Sequence, residues 1–202
     1  MRRLARKPLP DRTRRALDRA SNELTVQLAR GENPEIGPGY KSGGIQRVLR
    51  DQMFEGACCY CEAGTEPSGF GHVDHHRPKG RAEFRHLAYS WDNLVWSCSR
   101  CNQAKGDDWD PATPLLDPCV DEPTEHLTWN DALVVGTSER GKYTVRCVDL
   151  NGERSVKRFE HRRDLLHAAR LLSSDADTNS EARALLDGWT EYRGMLRAHG
   201  II

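Results

Sequence analysis

The chain has 202 residues, of which 37% are hydrophobic, and its 30 basic and 30 acidic side chains cancel to a formal net charge of zero. A neutral total removes the simplest compositional argument for a nucleic-acid-binding protein, which is an excess of positive charge. The length accommodates one domain of ordinary size with a hydrophobic core that needs no disulfides.

Composition also bears on the compartment. No stretch approaches the roughly 20 apolar residues of a membrane-spanning helix, and the basic N-terminal segment lacks the apolar run of a secretory signal. We therefore expect a cytoplasmic protein without a membrane partner. In that compartment its seven cysteines stay reduced unless a metal binds them.

The neutral total hides strong local segregation of charge. Residues 1–30 carry a net charge of +6 and residues 77–105 carry +4, whereas residues 106–130 carry −7. The two basic segments are candidate surfaces for phosphate groups, although solvated helix faces and loops carry charge in the same way.

Apolar spacing and turn residues predict the secondary structure in chain order. Leu17, Leu24 and Leu28 recur at helical spacing, and Gly31 with Pro34 ends that pattern. The predicted elements are helices over 11–30 and 45–54, strands over 72–76 and 94–97, a helix over 99–105, strands over 132–136 and 143–150, and helices over 156–172 and 180–197.

These elements divide the chain into three predicted regions. The strands over 132–136 and 143–150 flank the turn Ser-Glu-Arg-Gly, a pattern typical of a hairpin. The predicted regions are a basic helical region at 1–57, a core rich in cysteine, histidine and tryptophan at 58–110, and at 111–202 an acidic connector, the hairpin and C-terminal helices packed on the core or on a partner.

Two cysteine pairs have identical spacing: Cys58-x-x-Cys61 and Cys98-x-x-Cys101. A two-residue gap lets both sulfurs of a pair point at one ion, and four thiolates form a closed tetrahedral zinc site. A disulfide does not suit a reducing compartment, and buried core cysteines do not explain the paired spacing. The sequence therefore predicts a structural Zn²⁺ site.

A second set of candidate ligands lies between and beside the pairs. Asp74 and His75 end the predicted strand at 72–76, Asn93 precedes the next strand, and Asn102 follows the last cysteine of the tetrad on a short helix. Carboxylate and amide oxygens suit Mg²⁺ or Mn²⁺, whereas thiolates suit Zn²⁺. The segment therefore predicts two metals with different roles.

These residues, in this order over 58–106, resemble the HNH endonuclease family. The resemblance implies an α+β protein with a ββα-metal core, a zinc site of four cysteines, N-terminal helices and a C-terminal hairpin with helices. It implies that His75 is the general base, that Asp74 and Asn102 bind the catalytic cation, and that Asn93 fixes the loop that orients His75. The last histidine of the His-Asn-His motif is replaced here by Asn102, a variant found in the family.

A wider pattern is similar to the nuclease subunit of Septu-type antiphage systems and of related retron effectors. It comprises Arg-Pro-Lys-Gly-Arg at 77–81, Tyr-Ser-Trp-Asp-Asn-Leu at 89–94 and Leu-Leu-Asp-Pro at 115–118. That group usually has an aromatic residue after the acidic-histidine pair, whereas this chain has His76. The resemblance implies an ATPase subunit as a protein partner.

Basic residues around the predicted site would contact nucleic acid through its phosphates, without reading sequence. They are Arg77, Lys79, Arg81, Arg85, Arg100 and Lys105. We expect a metal-dependent endonuclease, with DNA the favoured substrate. Two alternatives stay open: a ribonuclease acting on structured RNA such as tRNA, and a zinc-supported nucleic-acid-binding module without catalysis. Nothing in the sequence separates DNA from RNA.

Overall fold

In the computed structural model, which describes residues 1–65, 71–152, 156–176 and 179–202, the N-terminal region is helical. Helix α1 (Asp11–Ala29) buries Leu17 and Leu24 on one face, as the apolar spacing predicts. Helix α2 (Gly43–Arg47) continues into a π-helical turn at Val48–Met53. Both helices predicted for this region are confirmed.

The centre of the chain is a two-stranded sheet followed by a helix. Strands β1 (Gly71–His75) and β2 (Leu94–Cys98) pair antiparallel, with Gly71 opposite Cys98 and His75 opposite Leu94. Helix α3 (Ser99–Lys105) follows β2 directly. The predicted order of strand, loop, strand and helix is confirmed, and α3 has its predicted bounds.

The predicted hairpin exists, but the sequence pattern assigned its strands wrongly. Strand β3 (Leu127–Asn130) pairs with β4 (Leu133–Gly136), and residues 143–150 are not its partner. Those residues belong largely to helix α4 (Glu139–Cys147), which the Ser138 hydroxyl caps by accepting from the Gly141 N–H.

Helix formation in α4 has a local cause. Ser138 is a favoured N-cap residue, and Tyr143 and Cys147, four residues apart, bury one face of the helix. Gly141 allows α4 to approach His126, the residue before β3, because an added Cβ would lie 2.0 Å from the His126 carbonyl oxygen.

The C-terminal region is helical. Helix α5 (Val156–Asp175) confirms the helix predicted at 156–172, whereas the single helix predicted at 180–197 is two helices, α6 (Ser180–Asp187) and α7 (Arg193–Ala198). The break falls between Gly188, which follows α6, and Tyr192, whose φ of 49° is left-handed and cannot continue a helix.

The buried apolar residues form two clusters. The larger one joins the N-terminal helices, the cysteine-rich segment and the first half of the C-terminal region; the smaller one joins α5, α6 and α7. The predicted α+β class, with N-terminal helices and a C-terminal hairpin with helices, is confirmed. The division at 57/58 and 110/111 stays a prediction. Among the described residues, no helix is both long and apolar enough to cross a bilayer.

Candidate active site

The four cysteines of the two pairs, which we call the tetrad, converge on one point. Their sulfurs all lie within 4.8 Å of one another, and the Sγ atoms of Cys61 and Cys98 are 3.8 Å apart. A tetrahedral Zn²⁺ with Zn–S distances of about 2.3 Å separates its sulfurs by about 3.8 Å. The Cys101 N–H points at Cys98 Sγ, 3.5 Å away. The tetrad therefore fits Zn²⁺ in both chemistry and spacing.

Beside the sheet lies a cleft of about 360 Å³, which we call the active-site cleft. Asp74 and His75, at the end of β1, and Asn102, on α3, line it. Asp74 and His75 are each only 5% exposed, so they lie at its base. The antiparallel pairing of β1 with β2 and the direct continuation of β2 into α3 bring these three residues together.

A backbone carbonyl orients the His75 imidazole. Its Nε2 lies 2.9 Å from the Ala88 carbonyl oxygen. Because a carbonyl oxygen only accepts, Nε2 carries the proton, and Nδ1 of the neutral ring keeps a free lone pair. Burial lowers the pKa of His75 to about 4, against the opposing effect of the Ala88 carbonyl. The ring is therefore neutral at pH 7 and can accept a proton.

Asp74 shares its carboxylate between two buried partners. Its Oδ1 lies 3.2 Å from Lys105 Nζ, and its Oδ2 accepts a hydrogen bond of 3.3 Å from the Tyr60 hydroxyl. Burial raises the pKa of Asp74, and the Lys105 ammonium opposes that rise. The same ammonium donates to the His75 carbonyl oxygen at 2.8 Å, so Lys105 ties α3 to the end of β1.

Asn93 binds the backbone that follows His75. Its Oδ1 accepts from the Arg77 N–H at 2.8 Å, and its Nδ2 donates to the carbonyl oxygens of Arg77 at 3.0 Å and Leu87 at 3.3 Å. Asn93 is 4% exposed. These bonds hold the loop between β1 and β2 in place, which supports a positioning role for Asn93.

Replacing Asn93 by alanine is expected to loosen this loop. Three hydrogen bonds are lost and buried backbone groups are left unpaired, at a cost of about 2–4 kcal/mol in the free energy of unfolding. Urea denaturation of Asn93→Ala measures this loss. Asn22→Ala, on the exposed face of α1, is the matched control and should change the free energy by less than about 0.5 kcal/mol. Equal stability of the two variants would contradict the assignment.

Comparison with known proteins agrees with this geometry. Residues 58–108 match the family described as HNH endonuclease. We call this matched segment, about a quarter of the chain, the HNH domain. It is also 28% identical over 187 residues to the Septu protein PtuB of Bacillus mycoides (strain KBAB4), covering 78% of this chain and 60% of that protein. It is 35% identical over 130 residues to the Septu protein PtuB of Bacillus thuringiensis, covering 64% and 48%.

The predicted resemblances, to HNH endonucleases with four cysteines and to the Septu nuclease subunit, are thereby confirmed. The chain spans about half to three fifths of the length of the two PtuB proteins it matches.

His76, the residue at which the HNH domain departs from its group, packs in the protein interior. It is 3% exposed, its ring stacks on Tyr60 with centroids 6.4 Å apart, and the edge of Trp109 meets it at 5.6 Å. Burial lowers the pKa of His76 to about 4. It does not line the active-site cleft, and its contacts with Tyr60 and Trp109 indicate an aromatic packing role.

The predicted phosphate contacts of the HNH domain fall in different places. Lys79 lines the active-site cleft, and Arg77 is exposed. The Arg81 guanidinium donates to the Trp109 carbonyl oxygen at 2.6 Å and pairs with Glu83. Four of the six predicted contacts do not line the cleft: Arg77, Arg81, Arg85 and Arg100.

Arg85 and Arg100 lie in other surroundings. The Arg85 guanidinium donates to the Pro34 carbonyl oxygen. Arg100 lines a second cleft, of about 270 Å³, beside Cys61 and Cys98 of the tetrad. Of this set, Lys79 and Lys105 therefore line the active-site cleft.

Lys105 lines the active-site cleft, but its ammonium is buried inside the HNH domain. The residue is 2% exposed and bonded to Asp74 and His75, which does not suit a phosphate contact from the surface. The burial of Lys105 could have been predicted from the sequence. Lys105 follows Cys101 by four residues, so on a helix the two side chains lie on the same face.

Two N-terminal contributions to the site had no sequence signal. Tyr40 and Lys41 line the active-site cleft. Arg6 donates to the carbonyl oxygens of Trp91 at 2.7 Å and Leu94 at 2.8 Å, on either side of Asn93. The region predicted as a basic helical flank thus supports the HNH loop directly.

Proposed function

We propose that this protein is a metal-dependent HNH endonuclease that hydrolyses phosphodiester bonds in nucleic acid, with DNA the favoured substrate. One observation carries the proposal. A single cleft holds the Asp74 carboxylate, the Asn102 amide and a neutral His75 whose protonated nitrogen is bound to the Ala88 carbonyl. A binding module without catalysis needs no base beside two oxygen ligands.

The arrangement supports hydrolysis by an activated water. The lone pair of His75 Nδ1 takes one proton from the water as its oxygen attacks phosphorus. The bond from phosphorus to the 3′ oxygen then breaks, and a proton from solvent water converts the departing alkoxide to a hydroxyl. The products are a 5′-phosphate and a 3′-hydroxyl, as the family resemblance implies. Before this transfer, the hydrogen bond to Ala88 keeps the neutral imidazole in the required tautomer, and it also orients the imidazolium that forms.

Asp74 and Asn102 are the residues that would hold the catalytic cation. Their hard oxygen donors favour Mg²⁺ or Mn²⁺ over Zn²⁺. The cation supplies charge stabilisation for the phosphoryl and departing oxygens. The tetrad would hold a separate, structural Zn²⁺, with four sulfurs and no open position.

The biological role we propose is that of an effector nuclease in antiphage defence. The similarity to two Septu PtuB proteins supports it, and a PtuA-like ATPase would be the partner subunit. The neutral net charge fits a nuclease that does not bind nucleic acid tightly on its own. The partner would supply the remaining affinity. A second form of this proposal is that the protein is the nuclease of a related retron effector system.

Cleavage assays with defined metals test the proposed activity. Supercoiled plasmid and total tRNA are incubated with the protein, with and without its ATPase partner, in Mg²⁺, Mn²⁺ or EDTA. We expect plasmid cleavage in either metal and none in EDTA, with Asp74→Asn reduced at least about tenfold because it loses a charged ligand. Cleavage of tRNA alone would favour the ribonuclease. Equal activity of Asp74→Asn, or activity in EDTA, would contradict the proposal.

A further inference from the structure

A loop outside the HNH domain forms one wall of the active-site cleft. It ends in a short 3₁₀ turn, Pro38–Lys41, and both Tyr40 and Lys41 line the cleft. Tyr40 is 7% exposed. Its ring meets the His75 imidazole in an edge-on arrangement, with centroids 4.5 Å apart and an interplanar angle of 65°. The loop therefore reaches the proposed general base directly.

Hydrogen bonds hold this loop in place on both sides of Tyr40. The Tyr89 hydroxyl, within the HNH domain, donates to the Gly37 carbonyl oxygen at 3.0 Å, and the Tyr89 ring lies 6.4 Å from the Tyr40 ring. On the other side, Gln46 Nε2 donates to the Lys41 carbonyl oxygen at 2.6 Å. These hydrogen bonds therefore fix the loop as one wall of the cleft.

The His75 imidazole needs a second restraint. Its Nε2 bond to the Ala88 carbonyl holds one point of the ring, but a single hydrogen bond does not stop the ring from pivoting about that point. The Tyr40 ring lies against the imidazole and blocks the pivot. Aromatic pairs at this separation prefer such edge-on geometry. The Nδ1 lone pair consequently keeps one direction.

Lys41 brings a cation to the same cleft. Its side chain is exposed, and its Nζ lies 5.5 Å from the centre of the Tyr40 ring, within the range of a cation–π contact. Lys79 lines the cleft as well. The ammonium groups of Lys41 and Lys79 in this cleft can pair with the phosphate groups of a bound nucleic-acid strand.

We propose that the turn Pro38–Lys41 is part of the active site, in which Tyr40 is a positioning residue for His75 and Lys41 binds a phosphate of the nucleic-acid strand. This inference rests on the proposed nuclease function and extends its site beyond the residues of the HNH family match.

The positioning role is tested by comparing Tyr40→Ala with Tyr40→Phe. Because the ring makes the contact, Tyr40→Phe should keep kcat within about twofold of wild type. Tyr40→Ala should lower kcat by about 10- to 100-fold, with KM changed less than about threefold. Equal defects in both variants, or no defect in a folded Tyr40→Ala protein, would overturn it.

A second measurement does not depend on activity. The imidazole ¹H–¹³C resonance of His75, assigned by its absence in His75→Gln, should shift in Tyr40→Ala and stay in place in Tyr40→Phe. Thermal unfolding and zinc content of the variants are measured in parallel, so that a folding defect is recognised. An unmoved resonance in folded Tyr40→Ala would contradict the positioning role.

The role of Lys41 is tested by binding in EDTA, where no hydrolysis is expected. For a fluorescent 20-nucleotide single strand and the matching duplex, Lys41→Ala should raise Kd by about three- to tenfold and make the salt dependence of log K shallower by roughly one unit. Lys142→Ala, an exposed lysine on α4 that does not line the cleft, is the matched control. An unchanged Kd and slope in Lys41→Ala would remove it from the site.

The two proposals fail differently. If the wild-type protein cleaves no substrate in any metal, the nuclease function fails. The His75 resonance and the binding in EDTA would still decide whether Tyr40 and Lys41 act as proposed. If wild type cleaves and the Tyr40 and Lys41 variants match it, the nuclease function stands and this inference is wrong.

Discussion

His75→Ala is expected to lower the rate of metal-dependent cleavage by between about 100- and 10,000-fold, the usual contribution of a general base. The reason is specific to one nitrogen. With Nε2 donating to the Ala88 carbonyl, Nδ1 is the only basic atom that the imidazole can offer to a water in the cleft. Alanine removes both Nδ1 and the hydrogen bond to the Ala88 carbonyl that orients the ring. Initial rates on the preferred nucleic acid, at saturating Mg²⁺ or Mn²⁺, measure the effect.

His72→Ala is the matched control for this experiment. His72 lies on the same strand and lines the same cleft, but its side chain is exposed and no hydrogen bond orients it among the described contacts. We expect its cleavage rate to stay within about threefold of wild type. Circular dichroism and zinc content should match wild type for both variants. If both lose activity equally, the loss reflects the cleft in general and the assignment of His75 as the base is wrong.

Removing Zn²⁺ is expected to unfold the HNH domain. Structural zinc sites contribute about 10–16 kcal/mol of apparent binding free energy, comparable to or larger than the whole stability of an ordinary domain. The tetrad cysteines also lie within the larger hydrophobic cluster, so their loss opens the core. Cys98→Ser should therefore bind less than about 0.1 zinc per chain and lose cooperative unfolding.

Metal analysis and thermal denaturation measure this prediction, with about one zinc per chain expected in wild type. Cys119→Ser is the control, since Cys119 is a half-buried cysteine outside the tetrad. It should keep its zinc and lose no more than about 1–2 kcal/mol of stability. A zinc-free wild type that is well folded would contradict the zinc assignment, and so would a stable Cys98→Ser protein.

Local patterns in the sequence were enough to predict the centre of the fold. The cysteine spacing, the strand that ends in Asp74 and His75, and the helix after Cys98 each extend over a few residues. Backbone periodicity and metal-ligand spacing act over that range, so elements of this kind can be recognised without knowing the rest of the chain.

The hairpin shows where local patterns were ambiguous. Residues 143–150 alternate apolar and polar side chains as a strand does, yet Tyr143 and Cys147 also have helical spacing. The cap at Ser138 decides in favour of a helix. That signal was available in the sequence, but it competed with the interpretation of the same Ser-Glu-Arg-Gly segment as a turn.

The contributions of Tyr40 and Arg6 could not be predicted, for a different reason. Tyr40 contacts His75 across 35 positions of the chain, and Arg6 contacts Trp91 across 85. No periodicity or motif encodes such pairs, because they depend on how the N-terminal region packs against the loop between β1 and β2. Composition left open whether the basic N-terminal segment is solvated or faces phosphate groups, and neither interpretation predicts the contacts of Arg6.

The Arg6 contacts bear on whether residues 58–108 could keep their structure in another protein. A segment cut to residues 58–108 would keep the tetrad and the Asp74–Lys105 pair but lose the guanidinium that binds the carbonyls of Trp91, Asp92 and Leu94. The loop that carries Asn93 would then be held by the hydrogen bonds of Asn93 to Arg77 and Leu87. The proposed catalytic segment is therefore not structurally independent, and transferring it into another protein requires an equivalent of Arg6.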